Sequence, residues 1–335
     1  MENKRVMNVK TWLQKAKQRI DALDAELIAH FVFAPRRSDR SWLAAHGDDQ
    51  ISQPQLRRAN VLLEKRLRGV PLAYVLEHKE FYGRDFWVRP GVLIPRPETE
   101  SLIDIIKELD LPQQPKFLEI GTGSGCIAIT LALEYPQAEV IASDISTKAL
   151  GIAKRNDIRH EGRVEFVQAN LLRDLGLDLM QGEHFDVLVA NLPYVNKDWE
   201  WVDENSLSHE PSTALYAKGN NGLSIYQRLL REISYHRNLD ELWLDYLVLE
   251  ADPCQHEALI KMAEKANFAY LKTDGYALLF EDGWRYWWDW RKQGYVHKTP
   301  EVIADELKTG MISYCPEEDY MLESNIDPGN PDFSE

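Results

Sequence analysis

The amino-acid sequence predicts an α/β protein with a Rossmann-like, doubly wound sheet of seven strands, preceded by a small all-α domain. Three features of the 335-residue chain predict this class. Short apolar segments alternate with segments of helical periodicity from residue 116 to residue 282. A glycine-rich turn, Gly121–Gly125, joins the first apolar segment to a helix. Before residue 70, only helical periodicity is present.

The amino-terminal part is predicted to be a helical bundle. Apolar residues recur at helical spacing over four segments: 8–20, 22–33, 41–46 and 53–67. Gly69 and Pro71 end the last of these helices. Residues 1–75 contain 14 Lys and Arg against 8 Asp and Glu, a net charge of +6, so the other residues carry −21 to give the total of −15. The basic residues are either ordinary solvated charges or a docking surface for a protein substrate.

The segment that follows the helices changes its period. Residues 80–88 are predicted to form a hairpin around Gly83-Arg-Asp. Pro95 and Pro97 stiffen the next loop, which runs into a helix whose first residues, Glu98 or Thr99, are suited to cap it. A rigid polar loop directly before a ligand-binding strand is a good candidate for one wall of a site.

The sheet is predicted from seven apolar segments, at 116–120, 138–143, 163–169, 185–190, 243–250, 266–272 and 275–281. Helices are expected between most of them, near 101–109, 124–134, 147–157, 223–235 and 255–264. The last two strands are joined by a tight turn at Asp274-Gly275, so they are expected to pair antiparallel. Ligands of such sheets bind at the carboxyl ends of the strands. Asp144, Asn170 and Asn191 all fall at such ends.

The glycine turn has the features of a cofactor site without a phosphate clamp. A dinucleotide-binding turn requires a third glycine where Cys126 stands, and no Gly-Lys-Ser/Thr sequence of a phosphate-binding loop is present here. Two acids flank the turn instead. Asp144 ends the second strand and suits a ribose diol, whereas Glu119 lies on the first strand and suits a cationic amine.

Ribose, amine and sulfonium without phosphate describe S-adenosylmethionine. The candidate cofactor-binding residues are therefore those around these strand ends: Glu119, Gly121, Thr122, Gly123, Gly125, Asp144, Ile145, Asn170 and Asn191. The alternative is a glycine-rich turn in an unrelated α/β protein.

The sequence Asn191-Leu-Pro-Tyr194 closes the fourth strand and predicts the chemistry. An amide or exocyclic amine is a poor nucleophile because its lone pair is delocalised, and acceptors on its N–H bonds help to direct that lone pair at a methyl group. The Asn191 side-chain oxygen and the Leu192 carbonyl provide two acceptors. Pro193 holds Leu192 extended, and Tyr194 offers a flat face to a planar group. The alternative is a strand-ending turn without a catalytic role.

Composition limits the remaining possibilities. The chain contains no run of 18 apolar residues and no apolar leader, and its three cysteines lie far apart, in no metal-binding spacing, so we expect a cytoplasmic protein without a membrane segment or a metal site. The acidic character beyond residue 75 argues against direct nucleic-acid binding.

Four regions are predicted: a helical substrate-recognition domain (1–75), a hairpin and linker (76–115), a sheet domain (116–282) and a Trp-rich, then acidic extension (283–335).

Several motifs together resemble the HemK/PrmC family of protein-(glutamine-N5) methyltransferases. The motifs are Pro71-Leu-Ala-Tyr74, Glu80-Phe-Tyr82, the run Pro90–Glu100 that contains Ile-Pro-Arg-Pro-Glu-Thr-Glu, the glycine turn, Asn191-x-Pro-Tyr194, Glu210-Pro211 and Gly219–Tyr226. The likeness covers about residues 8–282. It implies a class I S-adenosylmethionine-dependent methyltransferase fold and methylation of the Gly-Gly-Gln glutamine of peptide-chain release factors, with the helical domain helping to bind the factor.

The resemblance also implies roles for individual residues. The glycines of the turn would meet the methionine part of the cofactor, and Asp144 its ribose. Asn191 and Leu192 would hold the glutamine amide, with Tyr194 lining the slot. Arg96, Glu98 and Glu210 would shape the substrate pocket.

Three departures from the family pattern stand out. Leu192 replaces the first proline of the usual Asn-Pro-Pro-Tyr, so we expect a less rigid loop that keeps its backbone contact. Asn170 replaces a usual Asp, and we expect a change in cofactor affinity rather than in chemistry. The Trp-rich extension beyond residue 282 has no counterpart.

Two other functions stay open from the sequence. Asn-Leu-Pro-Tyr also resembles the motif of rRNA adenine-N6 methyltransferases, although these require a basic channel. A cofactor-binding interaction module without methyl transfer is the second, and the intact Asn191 and Tyr194 argue against it.

Overall fold

A computed structural model describes residues 7–35, 38–39, 41–176, 182–196, 199, 207–217, 221–239 and 241–282. The predicted extension 283–335 lies outside these residues. Among them, no helix combines the length and the apolar character that crossing a membrane requires.

The amino-terminal helices occupy Val9–Lys17, Ala22–Phe33, Trp42–Ala45, Gln53–Leu67 and Leu72–Leu76. Side-chain caps begin three of them. Asn8 accepts from the backbone of Thr11, Asp21 from that of Leu23 and Asp24, and Ser52 forms a capping box with Gln55. The bundle closes around a separate apolar core that includes Trp12, Ile28 and Leu63. The fifth, short helix was not predicted from the sequence. It follows Pro71, which is compatible with the start of a helix.

A hairpin, β1 (His78–Phe81) with β2 (Arg84–Trp87), follows the bundle. Its turn consists of Tyr82 and Gly83, one position earlier than the predicted Gly83-Arg-Asp, because Arg84 and Asp85 already pair within the ladder. Both turn residues have positive φ, 51° and 72°. The backbone N–H of Tyr82 donates to Glu100 and that of Gly83 to Glu80, which stabilises this backbone conformation.

The main sheet contains β3 (Lys116–Ile120), β4 (Glu139–Asp144), β5 (Val164–Gln168), β6 (Glu183–Ala190), β7 (Leu242–Glu250), β8 (Phe268–Asp274) and β9 (Ala277–Asp282). The strand order is β5-β4-β3-β6-β7-β9-β8, and β9 pairs antiparallel with both of its neighbours. Each predicted strand has its counterpart here, so the predicted doubly wound α/β sheet is confirmed. The connection between the last two strands is Gly275-Tyr276, one residue beyond the predicted turn.

Two apolar layers cover the sheet. One packs the helices Ser224–Asn238 and His256–Lys265 against the face that carries Leu118, Leu188 and Leu247. The other packs the helices Glu100–Lys107 and Cys126–Glu134 against the opposite face, with Phe117 and Val187. Alternate residues of one strand enter different layers, as strand geometry requires. Buried on both faces, the central strands fix their register, and so fix which residues reach the carboxyl edge.

Candidate active site

The carboxyl edge of the sheet brings four polar or glycine positions together. Ile120 pairs with Ser143 on one side and with Ala190 on the other, and Ala190 pairs with Leu249. The four central strands therefore end at the same level. The residues that end or directly follow them are Gly121, Asp144, Asn191 and Glu250. Three of these were predicted site residues, and Glu250 was not.

The glycine turn lies over the end of β3 and is tied to Asp144. The backbone N–H groups of Gly121 and Thr122 both donate to the carbonyl of Ser143, at 2.8 and 2.9 Å. The N–H of Gly123 donates to Asp144 Oδ2 at 2.8 Å, and the N–H of Ser146 donates to Oδ1 at the same distance. Burial raises the pKa of the Asp144 carboxyl, whereas these two N–H groups lower it. Each carboxylate oxygen keeps a lone pair for an outside donor.

Glu119 is a buried carboxylate on β3, two residues before Gly121, with 1% of its surface exposed. Its Oε2 accepts from the Thr122 hydroxyl at 2.6 Å and from the N–H of Ala128 at 3.0 Å. Its Oε1 is buried and has no hydrogen-bond partner among the described residues. Burial raises the pKa of Glu119 to about 7. A cation at Oε1 would complete the hydrogen bonding of this carboxylate and lower its pKa.

These residues fit the cofactor predicted from the sequence. The amine of S-adenosylmethionine is a cation suited to the unpaired Glu119 oxygen, and its ribose hydroxyls are donors suited to Asp144. Ile145, directly after Asp144, leaves 60% of its surface exposed, an apolar area suited to a base. Asn170 follows β5, and its side chain is half-exposed. Its own backbone carbonyl accepts from the Arg228 side chain at 3.3 Å. Among the described residues, no group of three acidic, His or Cys side chains is placed to bind a metal ion.

Asn191 is held by a residue whose predicted role was different. Its Nδ2 donates to the hydroxyl of Thr99 at 3.1 Å. Thr99 was expected to cap a helix. Instead, it has helical dihedrals, makes no capping hydrogen bond and ends a 3₁₀ turn, Pro97–Thr99, that leads into the helix Glu100–Lys107. Glu98 does not cap that helix either, since its carbonyl accepts from Ser101 while its side chain is exposed.

The loop after Asn191 is fixed at Leu192. The N–H of Leu192 donates to the hydroxyl of Tyr226 at 3.0 Å. Its side chain is 4% exposed and lies against the glycine turn, where a Cβ on Gly121 would come within 2.9 Å of Leu192 Cδ2. Gly121 also has a φ of +81°, so two independent reasons favour glycine there. The Leu192 carbonyl is thereby set at the edge of the sheet.

Tyr194 is fixed at both ends of the residue. Its hydroxyl donates to Glu250 Oε1 at 3.1 Å, and its carbonyl accepts from Gln255 at 2.9 Å. Its carbonyl also approaches Gly222, where a Cβ would come within 2.2 Å of the oxygen, so only glycine fits. Pro193, half-buried, lies between the two anchored residues. Burial, and then the nearby Glu250, raise the pKa of Tyr194, which therefore stays neutral.

Two of the predicted substrate-pocket residues, Glu210 and Arg96, are bonded to each other. Glu210, buried, accepts from the N–H of Ile94 at 2.9 Å through Oε2 and from Arg96 at 2.5 Å through Oε1. Arg96 keeps about a third of its side chain exposed. The structure thus places Glu210 as the anchor of the Ile94–Arg96 loop, with Arg96 as the group that reaches solvent. Tyr74, from the fifth helix, donates to the carbonyl of Val92 and holds the same loop.

Glu250 and Tyr226 are among the residues in contact with the predicted site that were not predicted as part of it. Glu250 ends β7 as Asp144 ends β4, so an acid closing an apolar strand was a usable signal. Tyr226 lies within a stretch quoted for the family resemblance, but nothing local indicates that its hydroxyl reaches Leu192, 34 positions away.

Two family models match the chain. Residues 98–223 match the methyltransferase small domain, and residues 8–76 match the PrmC N-terminal domain. Three similar proteins carry the name release factor glutamine methyltransferase. The protein of Koribacter versatilis is 39% identical over 227 residues, which are 67% of this chain and 78% of that protein. The protein of Neisseria gonorrhoeae is 37% identical over 62% of this chain and 73% of its own length. The protein of Enterococcus faecalis is 35% identical over 68% and 80%.

These matches confirm the resemblance that the motifs indicated and the class I methyltransferase fold that it implied. The match to the amino-terminal model extends the likeness through the helical bundle, as the motifs predicted. With this identity over more than three quarters of a named relative, the chain belongs to the family of release factor glutamine methyltransferases.

Proposed function

We propose that this protein transfers a methyl group from S-adenosylmethionine to the side-chain amide nitrogen of the Gly-Gly-Gln glutamine in a peptide-chain release factor. The observation that carries the proposal is the anchored Asn191-Leu-Pro-Tyr194 loop beside the glycine turn and two acids. In the reaction, a nitrogen–carbon bond forms, a sulfur–carbon bond breaks, and the amide nitrogen loses one proton to water. The bound cofactor supplies the activated methyl group.

Asn191 and Leu192 act on the acceptor amide. Thr99 holds the Asn191 amide nitrogen, which leaves Asn191 Oδ1 available as an acceptor. Tyr226 holds the Leu192 N–H, which sets the direction of the following carbonyl. These two oxygens accept the two N–H bonds of the glutamine and aim the nitrogen lone pair at the methyl carbon as positive charge develops. Tyr194 lines the slot with its ring.

Positioning supplies most of the rate in this proposal. The residues that hold the acceptor lie on strand ends of a sheet buried on both faces, so they are in place before the substrate arrives. No strong base is required, because the amide proton becomes acidic only after the methyl group has been transferred.

The residues that would hold the cofactor lie at the other half of the same edge. Glu119 binds the amine, Asp144 the ribose, and the turn Gly121–Gly125 with Thr122 borders the methionine part. Ile145 and Asn170 lie at the adenine. This assignment rests on the unpaired Glu119 oxygen, on the free lone pairs of Asp144 and on the exposed Ile145.

The release factor is recognised by the helical region 1–75 and by the loop that carries Arg96. The net positive charge of residues 1–75 contrasts with the acidic remainder. Arg96 and Glu98 would border the slot, and Glu210 holds Arg96 in an ion pair. Because the sheet region is acidic, the protein is proposed not to bind nucleic acid directly. The protein acts in the cytoplasm, where release factors work and where Cys126 and Cys254 stay reduced.

The test uses the purified chain with methyl-labelled S-adenosylmethionine. A release factor and, separately, protein-free ribosomal RNA are offered as acceptors. We expect label on the glutamine of the release factor and none on a factor whose Gly-Gly-Gln glutamine is replaced by alanine. Label on RNA alone would overturn the proposal.

The same assay tests the site. Asn191→Ala is expected to lose methylation while it keeps cofactor affinity in isothermal titration. The matched control is Asn238→Ala, at the exposed end of the helix Ser224–Asn238, which is expected to retain wild-type activity. Full activity of Asn191→Ala would show that the acceptor is held by other groups.

A further inference from the structure

Glu250 is a buried carboxylate at the carboxyl end of β7, with 1% of its surface exposed. Its Oε1 accepts from the Tyr194 hydroxyl at 3.1 Å. Its Oε2 is buried and lacks a partner at hydrogen-bonding geometry among the described residues. Its backbone carbonyl accepts from the Tyr226 hydroxyl at 2.5 Å. An ionisable group that costs free energy to bury, and whose hydrogen bonding is incomplete, calls for an explanation.

The surroundings of Glu250 include the residues that hold the acceptor amide. Burial raises the pKa of Glu250 to about 7, and interactions with the side chains of Thr99, Tyr194 and Asn191 lower it. Thr99 is 2% exposed, and its hydroxyl accepts from Asn191 Nδ2 at 3.1 Å. A threonine hydroxyl has one hydrogen to donate. Glu250 interacts with the Thr99 side chain, and its unpaired Oε2 is the acceptor towards which this hydrogen can turn.

We propose that Glu250 is a positioning residue that sets the direction of the hydrogen bonds at the acceptor site. As a carboxylate, it only accepts: the Tyr194 hydroxyl donates to Oε1, and the Thr99 hydroxyl turns its hydrogen towards the same carboxylate, whose Oε2 is unpaired. Thr99 must then accept from the amide nitrogen of Asn191. The Asn191 oxygen is left facing the substrate. This inference rests on the proposed function, in which that oxygen accepts from the glutamine amide.

The opposite state of Glu250 shows why the direction matters. A protonated carboxyl, or a glutamine in its place, can donate to Thr99. The Thr99 hydrogen is then free to point at Asn191, and the amide of Asn191 is stable with its oxygen turned inward. Its NH₂ group would then face the substrate N–H bonds, donor against donor, and the acceptor nitrogen would not be held. Orientation of an amide in this way depends on its hydrogen-bond partners.

The titration that controls this direction belongs to Glu250. The charged group Glu98, on the 3₁₀ turn, faces it and raises its pKa. Other titratable groups face it from the adjoining elements: Tyr194, Tyr226, Tyr276 and Cys126. Burial raises the pKa of each of these four, so they stay neutral around pH 7.

Three variants test the proposal by activity. Glu250→Gln keeps the shape but can donate, and Thr99→Val keeps the shape but removes the hydroxyl. Each is expected to lower kcat by about 10-fold or more, the loss typical of a hydrogen bond made in the transition state. Thr99→Ser restores the hydroxyl and is expected to stay within about threefold of the wild type. Unchanged cofactor affinity in all three would show that the fold is intact.

The matched control is Glu257→Gln, on the exposed side of the helix His256–Lys265, where the side chain is 84% exposed. It is expected to leave kcat unchanged. Measurements at saturating cofactor keep the titration of Glu119 out of kcat. A wild-type value of kcat for both Glu250→Gln and Thr99→Val would overturn the proposal.

A second readout does not depend on the substrate. With ¹⁵N-labelled asparagine, the side-chain resonances of Asn191 are followed by NMR as pH changes. We expect them to shift with a midpoint near the Glu250 pKa of about 7 in the wild type and in Thr99→Ser, and not in Thr99→Val or Glu250→Gln. If the Asn191 side-chain resonances do not shift as pH passes through the Glu250 pKa, the inference is overturned even in an active enzyme. Coupled resonances in a protein that leaves release factor unmethylated would overturn the proposed function alone.

Discussion

The backbone N–H of Leu192 donates to the hydroxyl of Tyr226, and that hydroxyl donates in turn to the carbonyl of Glu250. A proline at position 192, as in the usual family motif, has no N–H and cannot make the first of these bonds. The sequence predicted that leucine would cost the loop rigidity. In the structure, leucine supplies an anchor of its own and fills the space beside Gly121. The departure therefore changes how the loop is held.

Tyr226→Phe is expected to weaken both the fold and the reaction. The phenylalanine fills the same apolar space, but the buried Leu192 N–H loses its partner, which costs about 1–3 kcal/mol. Urea denaturation should show this loss in the free energy of unfolding, and kcat should fall while the cofactor dissociation constant stays constant. Tyr235→Phe, on the exposed face of the same helix, is the control and should change neither. Equal stability of the two variants would show that the Tyr226 hydroxyl does not hold the loop.

Glu119→Gln should change how cofactor affinity depends on pH. The raised pKa of about 7 means that Glu119 is largely protonated below pH 7 and ionised above it. A cationic amine binds the ionised form better, so affinity should rise as pH increases through about 7, and fall again when the amine loses its proton near pH 8. The glutamine variant should bind the cofactor about 10-fold more weakly at pH 7.5, and its affinity should no longer rise as pH increases through about 7.

Isothermal titration at several pH values measures this dependence of cofactor affinity.

Glu119 also affects the stability of the free protein. Its folded pKa exceeds the ordinary 4.5, so its contribution to stability is fully present below pH 4.5 and is lost as pH rises to about 7. In the glutamine variant this part of the pH dependence should be absent. An unchanged rise in affinity would assign the amine to another group.

Glu210→Gln should separate substrate binding from cofactor binding. The amide can still accept from Arg96 or from Ile94, but its charge is gone and one of its two acceptor oxygens becomes a donor group. With Arg96 less firmly held, KM for the release factor should rise several-fold. Cofactor affinity should not change, because among the described residues no hydrogen bond joins Glu210 or Arg96 to the glycine turn. A change in cofactor affinity with an unchanged KM would contradict this assignment.

Asn156→Leu should loosen the glycine turn from a distance. The buried Asn156 side chain donates to the carbonyls of Trp87 and Ser124 and accepts from the N–H of Trp87, at 2.8–2.9 Å. It ties the hairpin to the turn. Leucine has a similar volume but leaves these groups unpaired, so we expect a loss of about 3 kcal/mol in stability and weaker cofactor binding. Thermal unfolding with and without cofactor measures both.

An exposed asparagine provides the matched comparison for Asn156. Asn238→Leu replaces the same residue type at a helix end and should leave cofactor affinity unchanged. Suppose that Asn156→Leu loses less stability than expected and binds the cofactor with wild-type affinity. The glycine turn is then stabilised by its own backbone hydrogen bonds, and Asn156 holds only the hairpin.

Much of this molecule follows from local pattern. The central strands could be placed from runs of apolar residues because a strand buried on both faces has no alternative to such a run. Asp144 and Asn191 could be assigned to one site because parallel strands end at a common edge. The predicted capping role of Thr99 was wrong. Local spacing predicts only hydrogen bonds within the same helix, whereas the Thr99 hydroxyl bonds the side chain of a residue 92 positions away.

The sequence by itself determined the sheet, the glycine turn, the two acids of the candidate cofactor site and the family. These depend on spacing within a few residues, or on the rule that parallel strands share an edge. Only the tertiary structure decided how the site is held. The bonds from Leu192 to Tyr226, from Tyr194 to Glu250 and from Ile94 to Glu210 join segments 34 to 116 positions apart. Such contacts arise from the packing of whole elements, and no local periodicity encodes which polar groups that packing brings within hydrogen-bonding distance of each other.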